Sequence, residues 1–141
     1  MRVKISLTSH QQIDGEHESR AVTALGHLSG EEGRWVLSYA ERDEEGGERF
    51  TTLRLIDGEA QMEREAPHRS LLLMQPGRRC VCEYGTPYGA LSVGVFTHAV
   101  HDHLTADGGS LELRYALDFG GEPIEHVLLI DVEKLPNDTE R

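Results

Sequence analysis

Apolar residues recur at every second position along most of the chain, with turn residues interrupting the alternation about every 8 to 12 positions. Val3, Ile5 and Leu7 open the pattern, and no segment sustains a 3.6-residue apolar period. The reading is therefore all-β. It predicts about ten strands, at 2–12, 19–29, 34–42, 49–56, 59–65, 69–75, 79–84, 90–104, 110–119 and 122–134.

The turns can be tested by asking whether they align apolar faces. "IDGE" sets Asp57-Gly58 at a two-residue hairpin whose central positions need φ > 0, and Ile56, Leu55 and Leu53 then face Glu59, Ala60 and Met62. "QPGR" offers Pro76-Gly77 as a type II turn, with Leu73 facing Cys80, Leu71 facing Cys82 and Arg69 facing Tyr84. "TPYG" centres a turn on Pro87-Tyr88, and Tyr84, Cys82 and Cys80 then face Leu91, Val93 and Val95. "ADGG" suggests a hairpin at Asp107-Gly108, pairing Leu104 with Leu111, Val100 with Tyr115 and Phe96 with Phe119. That pairing moves the inward parity from odd to even, which calls for a β-bulge near residues 95 to 97. "FGGE" turns at Gly120-Gly121 and pairs Leu117 with Ile124, Tyr115 with His126, Leu113 with Leu128 and Leu111 with Ile130. The acidic stretches "DGEHE" and "RDEEGGE" read as solvated connections.

Every connection is short, so neighbours in sequence are expected to be neighbours in the sheet. A meander of ten antiparallel strands leaves two exposed edges, and closing the first strand onto the last removes them. A single up-and-down antiparallel β-barrel of about ten strands follows, with a two-sheet sandwich as its rival. The barrel domain spans 2–134, and 135–141 form a polar tail.

Length and charge narrow the function classes. A chain of 141 residues suits one domain. Its net charge of −11, from 25 acidic against 14 basic residues, argues against nucleic acid as the partner. No apolar run approaches a membrane span, and the N-terminus alternates like a strand instead of carrying a signal's apolar core. A cytoplasmic location without a membrane partner is the expectation. Two cysteines do not make a secreted disulfide framework. In the expected register Cys80 and Cys82 are buried thiols inside the sheet, whereas His98, His101 and His103 face out on a distant part of it. No metal site and no cofactor are assigned.

Three segments carry a resemblance: "VKISLTSHQQIDGE", "TLRLIDGEAQMERE" and, most specifically, "YGTPYGALSVGVFTHAV". Over residues 2 to about 134 the chain resembles the YwiB-like bacterial family, a domain of unknown function placed among calycin-like β-barrels. The histidine-rich "HAVHDH" and the Cys80–Cys82 pair depart from the family pattern. The resemblance implies a calycin- or lipocalin-like barrel and a bacterial, cytoplasmic origin. It implies no reaction and no catalytic residues.

Barrels of this size can enclose a cavity. The register nominates Trp35, Tyr39, Tyr84, Tyr115 and Phe119 as walls, with Arg69 and His126 as polar heads, for a small apolar or amphipathic ligand. The competing reading is a filled core, in which Tyr115 and His126 bond each other and the protein serves as an interaction module for another protein. No nucleophile elbow, zinc-binding helix motif or phosphate loop is present, so catalysis is not assigned. Oligomeric state is not legible.

Overall fold

The alternation resolves into ten strands: β1 (Arg2–Ile13), β2 (Glu16–Glu31), β3 (Arg34–Arg42), β4 (Glu48–Ile56), β5 (Glu59–Arg64), β6 (Ser70–Met74), β7 (Arg79–Thr86), β8 (Gly89–Thr105), β9 (Gly108–Asp118) and β10 (Ile124–Lys134). They come from a computed structural model that describes residues 1–42, 47–65 and 68–136. The "RDEEGGE" connection falls partly outside the described residues, as does most of the 135–141 tail. Each strand pairs antiparallel with its sequence neighbours, and β1 pairs with β10 from Val3↔Lys134 to Gln12↔Glu125, closing the sheet into a barrel. The sandwich is thereby excluded, as is strand addition at an open first or last edge. Among the described residues no helix is long and apolar enough to cross a membrane.

The two ends of the barrel differ. At one end, β2–β3, β4–β5 and β8–β9 are joined by two-residue turns at Glu32-Gly33, Asp57-Gly58 and Ala106-Asp107. Val3, Ile5, Leu28, Trp35, Leu37, Leu53, Leu55, Met74, Leu111 and Ile130 fill the interior there, all nearly inaccessible. Packing is close enough at Gly26 that an added Cβ would run into the Ser38 carbonyl and the Ile5 side chain. We call this the closed end. The β1–β2, β3–β4, β5–β6, β7–β8 and β9–β10 connections lie at the other.

The turn at Asp57-Gly58 has the expected register and a positive φ at both residues, 50° and 83°. "IDGE" occurs twice, however. Asp14 and Gly15 adopt the same conformation, with φ of 49° and 79°, and join β1 to β2. The stretch read as a solvated connection is thus a hairpin, and β2 begins at Glu16.

Three further registers differ from expectation. The β8–β9 turn centres on Ala106-Asp107, so Leu104 pairs with Gly109 and Val100 with Leu113. The cause is Thr105: its hydroxyl accepts from Asp107 N at 3.2 Å and donates to the Gly108 carbonyl at 3.1 Å. Thr86 closes the β7–β8 turn in the same way, toward Tyr88 N and Gly89 O, and there the expected pairing holds. Thr-x-x-Gly outcompetes Asp-Gly here because the threonine satisfies two backbone groups at once.

The bulge sits between Thr97 and Ala99, slightly beyond the expected 95–97, with His98 as the extra residue. Phe96 therefore stays on the outer face, partly exposed, opposite Ala116 and not Phe119.

On β6, Leu72 and Met74 turn inward while Leu73 faces solvent, one residue out of step with the expected β6–β7 pairing. The ladder registers Leu71 with Glu83. Gly77 and Arg78 bond Thr97 of β8 instead of continuing β6 onto β7, and Leu73 N donates to Cys82 Sγ at 3.3 Å. The β5–β6 ladder decides the face, because it sets Met62 opposite Leu72 and Ala60 opposite Met74. Cys80 and Cys82 remain on the inner side of β7 but are half-buried, not fully buried. Burial raises the Cys82 thiol pKa, so it stays protonated.

Candidate functional site

Followed from the closed end outward, the inward positions turn from apolar to polar on strand after strand. On β1 the series is Val3, Ile5, Leu7, Ser9, Gln11; on β2 it is Leu28, Ala24, Val22, Arg20, Glu18. On β3 it runs Trp35, Leu37, Tyr39, Glu41, on β4 Leu55, Leu53, Thr51, Arg49, and on β5 Ala60, Met62, Arg64. On β10 it runs Val132, Ile130, Leu128, His126. Backbone pairing places these polar residues side by side: Ser9 with Arg20, Glu41 with Arg49, Thr51 with Arg64, Arg64 with Ser70, and His126 with both Tyr115 and Gln11.

The barrel does not fill at this end. A cavity of about 320 Å³ is bounded below by Leu7, Met62, Leu72 and Leu128 and higher up by Ser9, Gln11, Arg64, Tyr84, Tyr115, Leu117 and His126. Glu18, Arg20, Glu41 and Arg49 form its outer part. The volume lies at the lower limit for small-molecule pockets.

Several polar atoms here have no partner among the described residues. Arg64 Nε and His126 Nε2 are buried and make no hydrogen bond. The Tyr39 and Thr51 hydroxyls approach each other across β3 and β4 without meeting hydrogen-bond geometry. Tyr115 and His126 stack with centroids 5.1 Å apart and rings 3° from parallel, so they pack face to face and do not bond edge to edge. Burial shifts all three titratable groups toward neutrality. It raises the Tyr39 phenol well above its ordinary value and raises Tyr115 as well, and it lowers His126, with Glu125 opposing the lowering and Arg64 adding to it.

Of the residues nominated from sequence, Tyr84, Tyr115 and His126 line the cavity. Trp35 packs at the closed end, and Tyr39 is buried one inward position below Glu41 without lining the cavity. Phe119 lies beyond the end of β9, partly exposed, in a T-shaped contact with Tyr84 at a centroid separation of 5.7 Å. Arg69 is on the outer face, with its side chain 77% exposed and 3.5 Å from Glu63. The one-residue slip on β6 explains it, because a shift of one moves every side chain to the opposite face. Arg64, from the neighbouring strand, holds the interior position instead. Reading inward positions toward the ends of β1 to β5 would have found it, together with Arg20, Glu41 and Arg49.

Residues 5–130 match a family model described as Domain of unknown function (DUF1934). The chain belongs to this family. It is also similar to the crystal structure of ywiB protein from Bacillus subtilis, with a TM-score of 0.85 and 19% sequence identity over 96% of this chain and 92% of that one. At that identity the likeness concerns the fold, a YwiB-like barrel. No curated protein matches the chain.

Proposed function

We propose that this barrel binds a small amphipathic molecule in its open end and acts as a carrier or sensor for it, with no chemical step. The observation that carries the reading is the cavity itself: apolar toward the closed end, polar at the level of Arg64 and His126, and about 320 Å³ in size. Such a wall-and-head division suits a ligand with an apolar body and one polar group. A filled core would instead have joined Tyr115 to His126 by a hydrogen bond and left no space between them and Met62. Calycin-like barrels, which the chain resembles, commonly hold apolar ligands in this region, and a cytoplasmic setting would suit a metabolite.

An environment-sensitive apolar dye, titrated into the full chain, tests this. One-to-one saturable binding is expected, and Ser9→Phe, which extends a side chain into the cavity, should abolish it while leaving the circular dichroism of the sheet intact. Trp35 lies at the closed end, so its emission serves as a control that the barrel stays folded. Absence of saturation across several dyes, with native mass spectra showing bare protein from its own cells, would overturn the proposal.

A further inference from the structure

The ligand's polar group can be narrowed, on the premise that the cavity binds a small molecule. The outer and middle parts of the cavity carry three arginines, Arg20, Arg49 and Arg64, against two carboxylates, Glu18 and Glu41. Glu41 sits directly across the β3–β4 ladder from Arg49, and Glu18 is one inward position from Arg20 on the same strand. Three arginines against two carboxylates leave one positive charge in surplus, and Arg64 lies one inward step deeper than Arg49.

Around Arg64 the fold supplies phenols, hydroxyls and an imidazole: Tyr39, Tyr115, Ser70, Thr51 and His126. All are neutral groups. Its Nε is buried without a hydrogen-bond partner, and no carboxylate among the described residues forms an ion pair with it. A half-buried cation without a counter-charge carries a cost, and a fork of N–H donors matches a carboxylate's two oxygens. His126 Nε2 is likewise unpartnered at the same level of the barrel. It adds a second site for a ligand oxygen when that nitrogen carries the ring's proton.

We infer that the cavity takes a small monocarboxylate, its oxygens held by Arg64 and His126 and its apolar body directed at Met62, Leu72 and Leu128. The volume holds about ten water-sized groups, which sets the body at a medium-length alkyl chain or a single aromatic ring. The carboxylate sits toward the mouth and the body toward the closed end, in the order in which the inward residues change character.

Calorimetric titration of the full chain with octanoate, 1-octanol and octylamine separates the terms. These probes share one alkyl body and differ in the charge of the head. Octanoate should bind one to one and about tenfold or more tighter than octanol, the usual scale for a charge-assisted bond. Octylamine should bind weakest. Arg64→Gln should bring octanoate down to octanol's affinity without changing octanol, and Arg64→Lys should restore part of the difference. Equal binding of octanoate and octanol would overturn the carboxylate while leaving the cavity reading intact. Preference for octylamine would reassign the cavity to Glu41 and a cationic ligand. Failure of all three to bind would remove both readings. The wild-type comparison decides even if an Arg64 variant does not fold.

Discussion

Replacing Arg64 by methionine should make the ligand-free protein more stable. A buried N–H without a partner costs about 1–3 kcal/mol, and Arg64 Nε is such a group. The residue as a whole is half-buried and part of its guanidinium faces the cavity, so the lower figure applies, about 1 kcal/mol. Methionine keeps the apolar stem that crosses the wall and removes the charge. For a chain of 141 residues, 1 kcal/mol corresponds to a rise in Tm of about 3–5 °C. Urea unfolding of wild type and Arg64→Met, with and without octanoate, measures both sides of the exchange. Without ligand the variant's midpoint should lie higher at an unchanged m-value. With octanoate at a hundred times its Kd, wild type should gain about 2.7 kcal/mol by mass action and the variant little. A variant less stable than wild type by 1 kcal/mol or more would refute the reasoning. It would mean that the fold satisfies the guanidinium internally and that no surplus charge awaits a ligand.

Other expectations follow from the same geometry. Thr105→Val removes the hydroxyl that closes the β8–β9 turn and should cost about 1 kcal/mol in urea unfolding; an unchanged midpoint would return the turn to Asp107-Gly108. Leu37→Ala, at a fully buried position of the closed end, should cost about 2–5 kcal/mol, and a smaller loss would indicate a looser core there. Because burial lowers the His126 pKa, its neutral form contributes stability that is complete above the ordinary histidine value, about 6.5, and is lost as pH falls through the lower folded value. His126→Phe should flatten the fall in stability between pH 7 and the acid side, and an unaltered slope would assign it to other groups. Arg79 bonds Asp118 at 3.1 and 2.8 Å and holds its carboxyl below the ordinary range. That contribution is present above about pH 4 and fades as pH falls through the lowered value, so wild type and Asp118→Asn should converge in strong acid.

The sequence announced the barrel because period two and turn chemistry are local properties. The hairpins at Asp57-Gly58, Pro87-Tyr88 and Gly120-Gly121 follow from residues within the turn, and their ladders run as read. Errors arose where two local rules competed. At "TADGG" an Asp-Gly pair and a Thr-x-x-Gly pattern call for turn centres one residue apart, and the hydroxyl's two hydrogen bonds win. On β6 the Pro76-Gly77 turn is correct, with Gly77 at a φ of 79°, but its backbone bonds β8 at the bulge, a contact no local rule foretells. Arg69 faces solvent as a result, while the β4–β5 ladder, which runs as read, puts Arg64 on the inner face. Tyr115 and His126 were placed correctly because a single tight connection fixed their pairing, and their stacking needed coordinates. The emptiness of one end needed them too, since a void is the space that side chains fail to occupy.

The pairing of β1 with β10 has a consequence for how the chain is made. Val3 meets Lys134, and Leu135 N bonds the Arg2 carbonyl at 3.0 Å, so the first strand of the barrel to be synthesised is completed by the last. Until then β1 presents its alternating valine, isoleucine and leucine and one row of free amides, the kind of edge that recruits other strands. Non-local closure of this sort is slow, because the full loop entropy falls due before the final ladder returns anything. Synthesis rate and chaperone supply, more than the stability of the finished barrel, should therefore set how much of this protein a cell obtains in soluble form.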